Sequence, residues 1–525
     1  MTDPAETGGL LSRADIAQRA GVERPAVTNW QRRHPDYPEP VRVGTEELFH
    51  AEEIRRWLSG RVVPRNQLRP GETHGLTYAD RFAASAGKPP ADSGKVERIV
   101  AELLGEAGAW YLRAGWNPGY DSLLRFLLYL RACRPDAWAA ILDEPLPLAR
   151  VIERWTAELA EDPDQLAQLI RRCPDSVLDD TVRTINLLTP GHEVADAYDA
   201  LLRESAAQQG ARSGSFYTPT AVRQAMLAVL AQGPPPASLY DPYCRSGELL
   251  VDAARSLGTP PVVRGATTRP SDARSSELNL AIHSVPASVA VVNELPEPDA
   301  AHRYDVVLGN PPFSLKAHDP AIVERGWPFG PPPARNLDLA WVQHVVLSLA
   351  PGGRGALVMP HGAAFRSGRE RDIRAALVES GAIECLISLP AGLFTATAVP
   401  VMIWILRPPH DADRREVLMI EASDLGTRTA RGHSLEPAAV ATIEDAYRRW
   451  QTDRSLTDIS ASPTVEDLRA ADYVLVPARY VEPVDAPQPG RGSASLDELL
   501  NRLEHLDRRA AAADRALTRA LEGLS

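Results

Sequence analysis

Apolar residues recur along this chain with two different periods, and the change of period separates regions of different fold. Between residues 95 and 208 they return every three or four positions, as on one face of a helix. Between residues 215 and 425, short apolar runs alternate with helical stretches. This alternation predicts a doubly wound, Rossmann-like α/β sheet behind an all-α domain. The predicted strands read LYDPY, PVVRGATT, ASVAVVN, YDVVLGN, GRGALVMP, IECLISLP and VPVMIWIL.

Composition shifts complete the predicted organisation. The parts are an N-terminal module at 1–65, a Pro- and Gly-containing linker at 66–94, a helical domain at 95–210, the α/β domain at 211–425 and a charged C-terminal region at 426–525. That last region ends in a helix whose apolar residues follow a heptad pattern from Leu496 to Leu524, as in a coiled-coil seam. The helix either folds back on its own chain or binds a partner, such as a second copy, and periodicity does not separate these alternatives.

Composition and charge limit the class of protein. The 525 residues exceed what one core supports, and 44% hydrophobic with 24% charged residues is typical of a soluble globular protein. The sequence shows no apolar run of membrane-spanning length and no signal-peptide pattern, so we expect a cytoplasmic protein that does not contact a membrane. Four scattered cysteines predict neither disulfides nor a metal site. The net charge of −12 argues against a uniformly basic surface but allows local ones.

The N-terminal stretch SRADIAQRAGVERPAVTNWQRR predicts two helices joined by a turn at a glycine. The second helix presents side chains that suit bases or phosphates, namely Thr28, Asn29, Arg32 and Arg33. A hairpin and a third helix follow, and the whole resembles the winged helix-turn-helix of MerR-like and excisionase-like DNA binders. The alternative is a small protein-interaction module with solvated arginines.

The stretch YDVVLGNPPFSLK places a stiff polar turn, Asn310-Pro-Pro-Phe313, after a predicted strand. The carboxyl end of such a strand is where α/β sheets bind ligands. The Asn310 side-chain oxygen and the Pro311 carbonyl can together accept both hydrogens of an exocyclic amine such as adenine N6, which localises its lone pair for attack. Phe313 can stack on a base that has been flipped out of the duplex. These residues are therefore the candidate catalytic group.

Several segments together resemble the modification subunit of type I restriction-modification systems, a family of S-adenosylmethionine-dependent adenine-N6 DNA methyltransferases. The matching segments are Gly214-Ser-Phe-Tyr-Thr-Pro219, Asp241-Pro-Tyr-Cys-Arg-Ser-Gly247, Asn310-Pro-Pro-Phe313, Asn336-Leu-Asp-Leu-Ala-Trp341, Leu349-Ala-Pro-Gly-Gly353, Val358-Met-Pro-His-Gly362, Ile387-Ser-Leu-Pro-Ala-Gly-Leu-Phe394 and Asp472-Tyr-Val-Leu-Val-Pro-Ala-Arg-Tyr480. The likeness covers roughly residues 95–525, so the N-terminal module is an addition.

This resemblance implies a cofactor, its binding residues and partners. The cofactor is S-adenosylmethionine, and the implied binding residues are Phe216, Tyr217, Thr218, Asp241, Ser246, Gly247 and Glu294. Of these, Glu294 is the acidic residue expected near the adenine moiety. The implied partners are double-stranded DNA and a DNA specificity subunit.

Two positions depart from the family pattern in the cofactor pocket. Arg245 replaces a glycine of the loop, and Thr267 stands where the family has the glutamate that holds the ribose hydroxyls. Two hypotheses follow: an active methyltransferase with an altered cofactor grip, or a degenerate fold that binds DNA or regulates without catalysis. The Pro-rich stretch with Trp327 and Phe329 is interpreted either as an irregular loop or as a lid beside the target base.

Overall fold

A computed structural model provides the structure of the chain. It describes residues 10–11, 13–20, 22, 24–34, 36–43, 46–64, 77–79, 81, 94–107, 117–143, 146–159, 162–209, 217–298, 303–394, 399–410, 416–429 and 432–481. The predicted heptad helix from Leu496 and the predicted cofactor residue Phe216 lie outside these residues.

The N-terminal module contains three short helices and a three-stranded antiparallel sheet. Its elements are β1 Leu10–Leu11, α1 Arg13–Ala20, α2 Arg24–Arg33, β2 Val41–Val43, β3 Glu46–His50 and α3 Ala51–Ser59. Tyr78, which the sequence places in a linker, is buried against Trp30 with ring centroids 5.3 Å apart. Thr77 pairs with Val62 in a β-bridge. The module therefore extends past the predicted boundary at residue 65.

The next part is helical, as the spacing of apolar residues predicts. Its helices are α4 Lys95–Glu102, α5 Asn117–Cys133, α6 Pro135–Asp143, α7 Leu148–Leu159, α8 Pro163–Arg172, α9 Asp175–Asn186 and α10 His192–Gln209, and α4 continues into a π turn at Leu103–Ala107. On α5, Leu123, Leu127 and Leu130 lie one turn apart and are fully buried. The side chain of Asp162 caps α8 by accepting a hydrogen bond from the Gln165 amide at 3.1 Å.

The sheet that follows has nine strands, in the order β14-β11-β9-β10-β8-β7-β4-β5-β6. The strands are β4 Ser238–Asp241, β5 Val262–Thr267, β6 Ser288–Val291, β7 Tyr304–Gly309, β8 Leu349–Pro360, β9 Ile383–Ser388, β10 Val401–Leu406, β11 Leu418–Glu421 and β14 Ser460–Ala461, while β12 Thr427–Thr429 and β13 Gly432–Ser434 form a separate ribbon. All seven predicted strands are present. The pairs from β6 to β8 are parallel, and β10 runs antiparallel to both β8 and β9.

Helices cover both faces of this sheet. They are α11 Thr220–Leu230, α12 Glu248–Leu257, α13 Pro270–Ile282, α14 Pro320–Glu324, α15 Asp338–Ser348, α16 Arg369–Glu379, α17 Pro437–Asp453 and α18 Val465–Ala470. Neighbouring residues of one strand face opposite layers: Leu308 enters the apolar core on one side and Val307 the core on the other. The doubly wound prediction is therefore confirmed.

The body of the sheet also extends past its predicted end at residue 425. Helix α17 packs against α11, and β14 pairs with β11. Trp327 and Phe329 of the Pro-rich stretch are buried in the core beneath α15, so this stretch is packed onto the domain. Of the helices that the structure describes, none has the length and apolar character needed to cross a bilayer.

Candidate active site at the switch point of the sheet

The strand order reverses between β4 and β7, and this is where doubly wound sheets bind their ligands. The chain leaves β4 toward β5 and β6 and then returns to β7 on the other side of β4. Since β4 and β7 are parallel, their carboxyl ends lie side by side. Residues 241–247, the cofactor loop, and residues 310–313, the catalytic turn, therefore share one edge of the sheet.

Two side chains of α13 form hydrogen bonds with the backbone of the cofactor loop. The Ser276 hydroxyl donates to the Arg245 carbonyl at 2.7 Å, and the Asn279 side-chain amide donates to the Ser246 carbonyl at 2.6 Å. Gly247 begins α12 with φ of 77°, a left-handed conformation that favours glycine. A Cβ at this position would also stand 3.3 Å from the Ser276 carbonyl. The glycine that the loop retains is thus the one that its backbone requires.

Arg245 reaches from the cofactor loop to the catalytic turn. Its Nη2 donates to the Asn310 main-chain carbonyl at 2.7 Å, and its guanidinium lies 5.3 Å from the centre of the Tyr243 ring. The side chain is half-buried. Sequence reasoning placed a cation near the cofactor but did not show where it points. In the structure it points toward Asn310, the candidate catalytic residue.

The side chain of Asn310 is buried and oriented by a chain of polar groups. Its amide nitrogen donates to the Thr218 hydroxyl at 3.1 Å, and that hydroxyl donates to Glu248 Oε1 at 3.2 Å. Glu248 Oε2 accepts a further hydrogen bond from the Ser246 hydroxyl at 2.7 Å. The structure thus brings together three predicted residues, Thr218, Ser246 and Asn310. It adds Glu248, a buried carboxylate that sequence reasoning missed although it follows Gly247 directly.

Tyr217 lies in the segment that carries Thr218. Its ring lies 5.0 Å from the Arg223 guanidinium, and burial raises the pKa of its hydroxyl to about 12. Arg223 is itself buried and donates both to the Thr218 carbonyl and to Asp252, each at 2.5 Å. Arg223 therefore fastens the segment that carries Tyr217 and Thr218 to α11 and α12.

Both ends of the catalytic turn are fixed. Pro311 is buried, and the Phe313 ring meets the Phe394 ring edge-on with centroids 6.4 Å apart. After the turn, the Ser314 amide donates to the buried Asp338 carboxylate at 2.7 Å. Arg366 donates to the same carboxylate at 2.8 Å. The motif around Asp338 thus anchors the catalytic turn, a role that its likeness to the family did not reveal.

The pocket position at the end of β5 lacks a carboxylate. The Thr267 side chain is fully buried, and its hydroxyl has no hydrogen-bond partner in the described part of the chain. The two acidic residues nearby in the sequence pair with arginines of their own segment instead: Asp272 with Arg269 and Glu277 with Arg274, both at 3.1 Å. The departure seen in the sequence is therefore not repaired by these neighbours.

Glu294, the acidic residue expected near the adenine moiety, forms hydrogen bonds with a nearby turn. Its carboxylate accepts from the His318 amide at 3.1 and 3.2 Å and from the Asp319 amide at 3.3 Å. It therefore holds the turn that leads into α14. Its contact with a cofactor stays a prediction.

The pKa of the Asp241 carboxyl is raised to about 8. Burial is the main cause and the neighbouring Glu248 charge adds to it, while the Tyr243 amide and Arg245 oppose the shift. The Tyr243 amide donates to Asp241 Oδ1 at 2.9 Å. At neutral pH most Asp241 side chains are therefore protonated and able to donate a hydrogen bond.

The four predicted DNA-contact residues lie together on α2. The side chains of Thr28, Asn29, Arg32 and Arg33 are all exposed. Arg32 also donates to the Asn29 side-chain oxygen at 3.0 Å, which keeps the two polar groups on one face of the helix. Their use as a DNA-reading surface stays a prediction.

A doubly wound sheet with a glycine-started helix and a polar turn at its switch point is an arrangement that binds a nucleotide-containing cofactor. The model of the N-6 DNA Methylase family matches residues 190–488. The chain therefore belongs to the N-6 DNA methylase family, whose members are DNA methyltransferases that use S-adenosylmethionine.

Named relatives agree with this family, and a solved structure shares the fold. The chain is 28% identical to the type I restriction enzyme HindI methylase subunit of Haemophilus influenzae, over 56% of this chain and 69% of that protein. It is 26% identical to the MjaIX methylase subunit of Methanocaldococcus jannaschii, over 55% of this chain but only 56% of that protein. The type I restriction-modification methyltransferase subunit of Streptococcus thermophilus shares its fold, with 22% identity, a TM-score of 0.59 and coverage of 74% of this chain and 98% of that one.

The residues at the switch point fit S-adenosylmethionine at one end better than at the other. Arg245 and the amides of the first turn of α12 are donors that suit the carboxylate of the amino-acid end, whereas the Thr218 hydroxyl and amide already donate to Glu248. At the ribose end, the fully buried Thr267 hydroxyl is the group that replaces a carboxylate. The donor set therefore suits the family cofactor.

Proposed function

We propose that this chain transfers the methyl group of S-adenosylmethionine to the N6 amine of adenine in double-stranded DNA. The observation that carries the proposal is the orientation of Asn310, whose amide nitrogen is committed to Thr218. This contact fixes which end of the amide is the nitrogen and which is the oxygen, the group that would accept a hydrogen from a substrate amine.

When bound, S-adenosylmethionine supplies an electrophilic methyl group on a sulfonium centre. The Asn310 oxygen and the Pro311 carbonyl accept the two hydrogens of the adenine amine, which concentrates its lone pair on nitrogen. Phe313, held by Phe394, stacks on the flipped base. The Asn310 and Pro311 oxygens would hold the amine nitrogen oriented to accept the methyl group, and the proton that the amine gives up would pass to solvent.

The test replaces Asn310 with alanine. We expect methyl transfer to adenine-containing DNA to fall about a thousandfold. The amine loses a hydrogen-bond acceptor whose interaction is strongest in the transition state. The affinity for S-adenosylhomocysteine, measured by isothermal titration, should stay within about threefold of wild type, since Asn310 acts on the amine. Transfer at the wild-type rate by Asn310→Ala would refute the assignment.

A second function is favoured by two observations, the missing carboxylate at Thr267 and the cation of Arg245 in the cleft. The chain would then be a methyltransferase fold that binds DNA or regulates without catalysis. Titration with S-adenosylmethionine separates the two functions. No binding up to millimolar concentration, together with retained DNA binding, would favour this second function over the first.

The proposed partners follow from the resemblance to type I modification subunits. We propose double-stranded DNA as the substrate, with the α2 surface of the N-terminal module as a second contact. A DNA specificity subunit or a second copy of the chain is the proposed partner of the heptad helix, whose residues lie outside the described ones.

Light scattering of the full chain and of a chain ending at residue 481 tests self-association. The same number of protomers per particle in both chains would exclude a dimer through this helix.

A further inference from the structure

The cofactor cleft contains the cation of Arg245, and the carboxyl group that it influences, Asp241, has a pKa raised by burial to about 8. In the part of the chain that the structure describes, Arg245 forms no ion pair. The other arginines of the site are paired: Arg223 with Asp252 at 2.5 Å and Arg366 with Asp338 at 2.8 Å. Desolvation disfavours an isolated charge, so an anion bound beside this guanidinium would be stabilising. Arg245 is therefore a candidate binding group for an anionic ligand in this cleft.

We infer that Arg245 binds the carboxylate at the amino-acid end of the methyl donor, an inference that rests on the proposed function. The carboxylate is the one negative group of S-adenosylmethionine, whereas its sulfonium and ammonium groups are positive. An arginine is therefore tolerated in the cleft where it faces that carboxylate. The side chain donates one N–H to the Asn310 carbonyl. Its other N–H donors lie in a planar array that matches a carboxylate.

The backbone around Arg245 supports a fixed binding group rather than a mobile one. Hydrogen bonds from Ser276 and Asn279 hold the carbonyls of Arg245 and Ser246 at 2.7 and 2.6 Å. At its far end, the side chain is tied to Asn310, 65 residues further along the chain. The guanidinium is thus positioned from both ends before a ligand arrives, which reduces the entropy lost on binding.

This role also explains how the pocket functions without an acid at the end of β5. A carboxylate at that position would grip the ribose, but Thr267 offers only a neutral hydroxyl. A charge-assisted contact at Arg245 replaces that lost interaction at the opposite end of the same ligand. The chain would then recognise its cofactor mainly by the amino-acid end.

The competing ligand for Arg245 is a DNA phosphate. The direction of the side chain argues against it, since the guanidinium meets the main chain of the buried residue Asn310. A phosphate contact would make Arg245→Met weaken DNA binding in the absence of cofactor, so DNA affinity is measured alongside cofactor affinity.

The experiment compares two ligands that differ in the amino-acid end. S-adenosylhomocysteine carries the carboxylate, and methylthioadenosine has the same nucleoside without it. Both are titrated calorimetrically into the wild-type chain, Arg245→Met, Arg245→Lys and the control Arg448→Met, which removes an exposed arginine of α17. Thermal unfolding of each variant confirms that it is folded.

We expect Arg245→Met to weaken S-adenosylhomocysteine binding by about tenfold to a hundredfold, the equivalent of one charge-assisted hydrogen bond. Methylthioadenosine affinity should change by less than about twofold. Arg245→Lys should recover part of the loss because it keeps the charge without the planar fork. Arg448→Met should match wild type with both ligands.

Three results would overturn the inference. Equal weakening of both ligands would mean that Arg245 only shapes the cleft. Unchanged binding of both would remove it from the binding site, and a loss confined to DNA would assign it to a phosphate. In each case wild-type binding of S-adenosylhomocysteine keeps the proposed function standing. Failure of the wild-type chain to bind S-adenosylhomocysteine would overturn the proposed function itself and the inference with it.

Discussion

The hydroxyl of Thr218 accepts a hydrogen bond from the side-chain amide nitrogen of Asn310 at 3.1 Å, although the two residues are 92 positions apart. One belongs to the segment before α11 and the other to the turn after β7. Glu248 in turn accepts from the Thr218 hydroxyl, so that hydroxyl has a defined direction. Thr218 and Glu248, which lie outside the turn, thereby fix the orientation of the Asn310 side-chain amide.

Replacing Thr218 with valine should therefore impair catalysis more than cofactor binding. The valine is nearly isosteric but cannot accept the Asn310 hydrogen, so the amide loses its fixed orientation. We expect kcat for methyl transfer to fall about tenfold to a hundredfold, the effect of one misplaced catalytic hydrogen bond. Thr218→Ser keeps the hydroxyl and should retain most of the rate. Equal rates for the valine and serine variants would show that the contact does not orient Asn310.

Replacing Thr267 with valine should affect stability and cofactor binding in opposite directions. The buried hydroxyl has no partner in the described residues, so its removal relieves a desolvated polar group. We expect the free energy of unfolding to rise by about 1 kcal/mol in urea titrations. If the hydroxyl binds a ribose, calorimetry should show S-adenosylhomocysteine weakened by a few-fold, about one neutral hydrogen bond. Thr267→Ser, which keeps the hydroxyl, is the matched control. A less stable valine variant would mean that the hydroxyl has a partner in the folded chain.

The stability of the chain should depend on the titration of Asp241. Burial raises the pKa of its carboxyl from 3.8 to about 8, so the folded state holds a proton that the unfolded state releases. This contribution to stability is full below about pH 4 and is lost as the pH rises through about 8. Asp241→Asn keeps an acceptor for the Tyr243 amide and removes the titration.

We therefore expect the Asp241→Asn variant to gain stability relative to wild type between pH 5 and pH 8, by up to about 1.4 kcal/mol per pH unit. Urea unfolding at both pH values measures the difference. Asp445→Asn, on α17, controls for the loss of one carboxylate elsewhere in the chain. A difference that stays constant with pH would contradict the raised pKa.

The predicted DNA surface on α2 can be tested through salt dependence. Arg32→Ala combined with Arg33→Ala removes two exposed cations from one face of the module. We expect weaker DNA binding and a shallower dependence of affinity on salt, by about one to two units in the logarithmic slope. The pair Arg448→Ala and Arg449→Ala, on α17, removes the same charge elsewhere. An unchanged slope in the α2 variant would mean that the module binds something other than DNA.

Much of the fold could be predicted because its signals are local. The strand ending at Gly309 and the turn from Asn310 to Phe313 are adjacent in sequence, so pattern alone placed the turn at the end of a strand. Proximity of that turn to residues 241–247 followed from the general rule for the switch point of a doubly wound sheet. Residues beyond 425 also join the body of the sheet, since β14 pairs with β11 and α17 packs against α11.

The site contacts that could not be predicted are those that join distant segments. Arg245 was recognised as a departure from the family pattern, but its hydrogen bond to the Asn310 carbonyl depends on a rotamer that sequence does not fix. Glu248 reads as an ordinary first-turn acid that complements the helix dipole. Its contact with Thr218 becomes visible only when α12 and the segment before α11 are placed together.

The burial of Tyr78 in the N-terminal module determines where the chain can be cut. A fragment that ends at residue 65 would remove one aromatic neighbour of Trp30 and leave Val62 without its bridge to Thr77. Such a fragment would be prone to aggregate, and its failure to bind DNA would carry no information. A variant that contains only the N-terminal module, or one that lacks it, should therefore be cut after Arg81, which is also buried.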